Sequence, residues 1–122
     1  MKIIYISIII IIISILYNCY IIENFDYNKY KIKIYYFNTS WCKWSKQFNP
    51  EWNKFVNMID TSLYESINIQ CDKIENDTLC AAYNVPGFPH IVIETYNKKI
   101  IYTGERSANA LINFLKTLSN SS

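Results

Sequence analysis

The fold of this chain turns on Ser40-Trp41-Cys42-Lys43-Trp44-Ser45-Lys46-Gln47-Phe48-Asn49-Pro50-Glu51-Trp52. Just before it, Lys31-Ile32-Lys33-Ile34-Tyr35-Tyr36-Phe37 alternates strictly and then becomes an apolar run, the pattern of a strand entering a core. Asn38-Thr39-Ser40 breaks that strand and can supply the N-cap of a following helix. From Ser45 to Asp60 the residues Phe48, Trp52, Phe55, Val56 and Ile59 recur at helical spacing, with Pro50 as an expected kink. Cys42 therefore falls at a helix start directly after a strand. Unpaired backbone N–H groups and the helix dipole stabilise an anion there. A thiolate is favoured, so the thiol pKa should fall and nucleophilicity at neutral pH should rise. Lys43 and Lys46 add positive charge. A buried structural cysteine is the alternative. A helix start that follows a strand at the surface of an α/β layer argues against it.

Outward from this stretch, Ser66-Ile67-Asn68-Ile69-Gln70 alternates as a second strand. Asp77 to Tyr83 reads as a short helix, and Val85-Pro86-Gly87-Phe88-Pro89 as a turn. His90 to Thr95 and Lys99 to Thr103 read as two strands joined at Asn97-Lys98. Ser107 to Leu118 is a final amphipathic helix with Leu111, Ile112, Leu115 and Leu118 on one side. The order is βαβαββα, a single α/β domain over residues 31–120.

Three separated segments, in order and at suitable distances, carry a resemblance. Trp41-Cys42-Lys43-Trp44-Ser45-Lys46 with Pro50 resembles the active-site segment of thioredoxins, and especially of protein disulfide isomerase a-type domains. Val85-Pro86-Gly87-Phe88-Pro89 resembles the family's cis-proline loop, and Tyr102-Thr103-Gly104-Glu105-Arg106 with Leu111 and Phe114 resembles the end of the domain. The resemblance covers residues 31–118. It implies a thioredoxin fold, a central mixed sheet flanked by helices, with Cys42 as the attacking cysteine. It also implies that Phe88-Pro89 is a cis peptide and that this loop, with Trp41 and Trp44, faces an extended substrate. Aromatic core packing is the ordinary alternative for the two tryptophans.

Departures from the family pattern shape the expected chemistry. Ser45 stands where the family carries its resolving cysteine, and serine cannot form a disulfide. Tyr36, six residues before Cys42, stands where the family carries a buried acid that takes a proton from that second thiol. His90 follows the loop proline in place of Thr or Ser, and reads as an ordinary surface or edge residue more than as a base. Arg106 resembles an arginine that swings towards the active site, with a surface role or helix-start packing as the alternative. Cys71 and Cys80 resemble a non-catalytic disulfide of some disulfide isomerase domains, the alternative being two buried thiols. Asn38, Asn76 and Asn120 each begin a glycosylation sequon, and Asn76 has the most suitable loop position.

The N-terminal residues belong to a different environment. From Ile3 to Ile22 there is no charge, and about 1.5 Å per residue makes this roughly a bilayer core in length. A buried core helix lacks any polar face, and a cleaved signal peptide lacks small residues at its end. An uncleaved signal anchor over residues 1–22 fits best, followed by a linker over 23–30. The lysines on either side slightly oppose an N-in orientation. The redox chemistry favours a translocated domain, lumenal or extracytoplasmic, on the endoplasmic reticulum or a virus-derived membrane. The abundance of Ile, Asn, Tyr and Lys, whose codons are A/T-rich, fits a large DNA virus or a parasite.

Net charge is +2 and the lysines are scattered. That argues against nucleic acid as a partner. The four cysteines and one histidine form no zinc spacing, so no metal and no cofactor are expected. The expected function is monothiol thiol–disulfide exchange, isomerase-like, through Cys42 on cysteine-containing client proteins or glutathione. The alternative is a non-enzymatic binding or retention module that holds client cysteines as stable mixed disulfides.

Overall fold

The computed structural model describes residues 1–23 and 31–121, with residues 21–23 described by backbone alone. The chain forms two compact units, residues 1–30 and 31–122. In the first, helix α1 spans Lys2–Glu23. Its side chains are exposed along the length that is described. Ser7 and Ser14 donate their hydroxyls to the carbonyls of Ile3 and Ile10, each at 2.9 Å, and Asn18 donates its amide to Ser14 O at 2.7 Å. These i−4 bonds satisfy the Ser7, Ser14 and Asn18 side-chain donors within the helix itself. Lys2–Tyr20 is long and apolar enough to cross a membrane. The helix includes Glu23, which the sequence reading gave to the linker; the remaining linker residues, 24–30, lie outside the described residues.

The second unit runs β1 (Ile32–Asn38), α2 (Lys43–Met58), β2 (Tyr64–Gln70), a 3₁₀ turn (Ile74–Asn76), α3 (Asp77–Ala82), β3 (His90–Glu94), β4 (Lys99–Ile101) and α4 (Ala108–Asn120). This is the expected βαβαββα order. Among the described residues the sheet order is β2-β1-β3-β4. β1 runs parallel to β2 and antiparallel to β3, and β3 runs antiparallel to β4.

Strand alternation splits the core across two sheet faces. Ile34 and Tyr36 of β1 and Ile91 and Ile93 of β3 face Phe48, Trp52 and Phe55 of α2 and Ala108, Leu111 and Leu115 of α4. On the other face Tyr35, Phe37, Ile69 and Val92 pack with Tyr83, Val85, Phe88 and the cysteines 71 and 80. Tyr36, Phe48, Trp52 and Phe55 form an aromatic ladder, with neighbouring ring centroids 4.9–6.5 Å apart. Helix α2 continues through Pro50, whose ring removes the N–H that Lys46 C=O would otherwise accept. Helix α4 is capped by Ser107, whose hydroxyl accepts the Ala110 N–H, and by Glu51 of α2, which accepts the Ala108 N–H at 2.9 Å.

Two local expectations need correction. Asn38 does not break β1: it is the strand's last residue and pairs with Gln70. Its buried amide donates to Ile69 O at 3.3 Å and to Asn68 Oδ1, partners that exist only once β2 is in place. Nor does Asn38-Thr39-Ser40 cap α2. The N-cap is Cys42, in extended conformation, without a side-chain cap bond.

Candidate functional site

An N-cap that does not use its own side chain leaves the first N–H groups of α2 free. Cys42 has that arrangement, with its carbonyl accepting the Lys46 N–H at 3.0 Å. The Ser45 N–H, first, then the Trp44 N–H and the Ser45 hydroxyl favour the thiolate, and the Arg106 charge acts in the same direction; together they hold the thiol below its ordinary value against partial desolvation. The thiol is half-buried, and its Sγ lies 3.8 Å from Phe88 O, which it faces as a donor.

Beneath this thiol the site is closed. Ser45 is fully buried, and its Oγ accepts the Thr39 N–H at 3.5 Å. Below it stands Tyr36, also fully buried. The Tyr36 hydroxyl lies 2.6 Å from Asn49 Oδ1 and 3.1 Å from Ser45 O, sharing its one proton between them. Burial pushes the phenol up to about 12, with the Ser45 hydroxyl partly offsetting it. The group at position 36 thus sits directly under residue 45.

Above the thiol the site is open. Phe88–Pro89 is a cis peptide, and the Phe88 ring meets Trp41 edge-on at 6.2 Å. Trp41 and Trp44 are 68% and 59% exposed, which removes the core-packing explanation for both. The loop between β1 and α2 is braced by Asp72, whose carboxylate accepts the Ser40 N–H at 3.2 Å and the Ser40 hydroxyl. A cleft of about 380 Å³ is lined by Trp44, Gln47, Phe48, Glu51 and Arg106, without Cys42. A larger polar groove of about 690 Å³ runs along Asn49, Asn53, Asn68 and Gln70 and does not include Cys42 either.

The thioredoxin sequence family matches residues 22–117. The chain belongs to the thioredoxin family. Thiol–disulfide exchange is the chemistry of that family. This thioredoxin domain is 35% identical over 83 residues to protein disulfide-isomerase of Saccharomyces cerevisiae, covering 65% of this chain and 15% of the relative. It is 29% identical over 93 residues to protein disulfide isomerase-like 1-1 of Arabidopsis thaliana, covering 73% and 19%. The chain therefore spans less than a fifth of these curated relatives. Among solved structures, the first two thioredoxin domains of Naumovozyma dairenensis Eps1p superpose with a TM-score of 0.62 at 26% identity, covering 75% of this chain and 36% of that one. Zinc-bound human ERp44 superposes with a TM-score of 0.65 at 18% identity, covering 74% and 28%, a likeness of fold alone.

The fold brings Cys42 and Trp41 against the Phe88–Pro89 loop, with Ser45 in the first turn of α2, while Trp44 and Arg106 share the smaller cleft. The other named residues lie elsewhere. Cys71 and Cys80 are joined by a disulfide on the α3 face. Asn76 is half-buried and donates its amide to Gln70 O at 2.9 Å. His90 is corrected from a surface or edge residue: it is 9% exposed at the start of β3, an interior strand, with its ring 6.1 Å from Phe37. Burial holds its imidazole below the ordinary histidine value. Among the described residues no group of three or more His, Cys, Asp or Glu could hold a metal.

Sequence reasoning missed Asn49 and Asp72. Asn49 follows Ser45 by one helical turn, so the i+4 rule places it on the same face. Asp72 follows from register: with Asn38 beside Gln70, two residues further on each chain bring Ser40 to Asp72.

Proposed function

We propose that Cys42 performs thiol–disulfide exchange on protein disulfides as a single thiol, with release by a thiol from outside the domain. The observation that carries this reading is the site's asymmetry: an activated sulfur at the helix start above a buried serine and a neutral phenol. The Cys42 thiolate attacks one sulfur of a client disulfide. A bond from Sγ forms, the client S–S bond breaks, and the departing client sulfur leaves as a thiolate that solvent protonates. A client or external thiolate then attacks the mixed disulfide and expels Cys42, so the cycle carries no net oxidation or reduction.

An internal release would need a second thiol in the first turn of α2 and a base to deprotonate it. Ser45 occupies that turn and cannot form an S–S bond. Tyr36, held at about 12, stays protonated across physiological pH and takes up no proton. Clients are cysteine-containing proteins, with Trp41, Trp44, Phe88 and Pro89 offering an apolar seat beside the sulfur. Helix α1 serves as a single-pass anchor, and the Cys71–Cys80 bridge supports a domain facing an oxidising compartment, the endoplasmic reticulum lumen or a virus-derived membrane space.

The test compares two assays on the full chain in detergent. Scrambled ribonuclease should regain activity when a small thiol is present, and Cys42→Ser should abolish the gain. Insulin reduction should not turn over without glutathione; robust turnover without it contradicts the proposal. Cys42 adducts that persist against glutathione would mark a retention module instead.

A further inference from the structure

The sheet has two outer strands, β4 and β2, and they are finished differently. β4 is short, Lys99–Ile101, and begins on a lysine. Shortness and lysine are ordinary means of keeping an edge from pairing with another chain. β2 runs from Tyr64 to Gln70 in unbroken register with β1, without proline and with Glu65 as its sole charged residue. Among the described residues its outer side pairs with no strand.

Register decides which backbone groups that side offers. The Ile32 N–H donates to Leu63 O at 3.1 Å, and the Cys71 N–H to Asn38 O at 2.7 Å. In a parallel ladder residues 63, 65, 67, 69 and 71 then turn inward to β1, while Tyr64, Ser66, Asn68 and Gln70 turn outward. The end groups of this outward row are already engaged. The Tyr64 N–H donates to Asp60 O at 3.0 Å, and Gln70 O accepts the Lys73 N–H at 3.2 Å and the Asn76 amide at 2.9 Å. Among the described residues this leaves open the N–H groups of Ser66, Asn68 and Gln70 and the carbonyls of Tyr64, Ser66 and Asn68. The set is symmetric about Ile67. Turned end over end, each donor meets an acceptor.

We propose that this edge pairs antiparallel with the same edge of a second copy of the chain, about a two-fold axis through Ile67. Ser66 of each copy then opposes Asn68 of the other, exchanging both N–H and carbonyl bonds. The Gln70 N–H of each copy reaches the Tyr64 carbonyl of the other. The groups already engaged, Tyr64 N–H and Gln70 O, fall opposite each other, so neither copy is left with an open donor or acceptor. That self-complementarity favours a second copy over an unrelated extended peptide. The side chains agree with the register. On the α2 face Ser66 opposes Asn68, whose Oδ1 accepts from Asn38 and whose amide N–H groups can donate across the axis. On the other face the half-buried Ile67 meets its own copy, and Glu65 opposes Ile69, so no like charges face each other. Such isologous pairing closes on itself, giving a dimer with β4 at each end and not a fibre.

The test uses the full chain in detergent with Cys19→Ser and Cys42→Ser, so that an added cysteine is its one free thiol. In this register the two Cα atoms at position 67 lie about 4.5 Å apart, within reach of a disulfide. Those at position 65 lie about 14 Å apart, beyond it. Under mild oxidation Ile67→Cys should cross-link to a dimer, while Glu65→Cys, the more exposed of the two, should not. Without an added cysteine, light scattering corrected for bound detergent should show the mass rising from monomer to dimer with concentration. Ser66→Pro should raise the dissociation constant about tenfold, since it removes one donor from each copy. The Ser66 N–H takes no part in the β1 ladder, so an edge proline is tolerated there, and a circular-dichroism melt checks that the variant folds. Cross-linking at position 67 no faster than at position 65 overturns the inference, and decides the matter alone if Ser66→Pro does not fold. A dimer that a folded Ser66→Pro chain keeps undiminished overturns it as well.

Discussion

At the residue scale, the activation of Cys42 comes chiefly from two backbone N–H groups and the Ser45 hydroxyl, with the Arg106 charge acting in the same direction. No proton-accepting side chain beneath it is needed. This separates the two jobs of the site, since Tyr36 can matter to stability without mattering to chemistry. Tyr36→Phe removes a hydroxyl bonded to Asn49 and Ser45 and should cost about 1–2 kcal/mol in urea unfolding. Formation and release of Cys42 adducts should stay within about twofold of wild type, well under the tenfold that about 1.4 kcal/mol of barrier would produce. His90 behaves differently. Burial depresses its pKa, so near its ordinary value of about 6.5 the unfolded chain takes up a proton that the native state does not. Stability should therefore fall as pH drops from about 6.5 and level off below the native pKa. Urea midpoints at several pH values check this, and His90→Gln should flatten the slope.

At the element scale, α3 and the loop after it hang from β2 by the Cys71–Cys80 bridge, with nine residues of sequence separation. Closing a loop of that size restricts the unfolded chain. The Cys71→Ser/Cys80→Ser pair should therefore lose about 2.5 kcal/mol of stability by equilibrium unfolding while Cys42 stays reactive. The elements themselves were legible in the sequence, because alternation and helical spacing are local signals. Phe48, Trp52, Phe55, Leu111 and Leu115 were placed on helical faces by periodicity, and all are buried. The misjudged residues are those whose partners lie far along the chain. Asn38 looks like a strand breaker until Asn68 and Ile69, thirty residues away, accept its amide. His90 looks polar and exposed until β1 and β4 close around β3. Trp41 and Trp44 had two readings, and only the open side of the loop distinguishes them.

At the scale of the whole molecule, an apolar helix precedes a domain that carries one disulfide and one activated thiol. With α1 as an anchor and the domain translocated, sealed native membranes should protect residues 31–122 from added protease. Detergent should expose them. Protection lost without detergent would place the domain on the cytosolic side and set it against a lasting Cys71–Cys80 bridge.

The central claim is that Cys42 captures without resolving, and a single-turnover trap tests it most directly. The full chain with Cys19→Ser is mixed with a disulfide-bonded peptide whose leaving thiol is removed as it forms. Samples are quenched in acid over time, with and without added glutathione. The account predicts a Cys42–peptide adduct that accumulates and persists until glutathione is added, then decays. An adduct that decays at the same rate without any added thiol, or a Cys42 that never forms one, would contradict it.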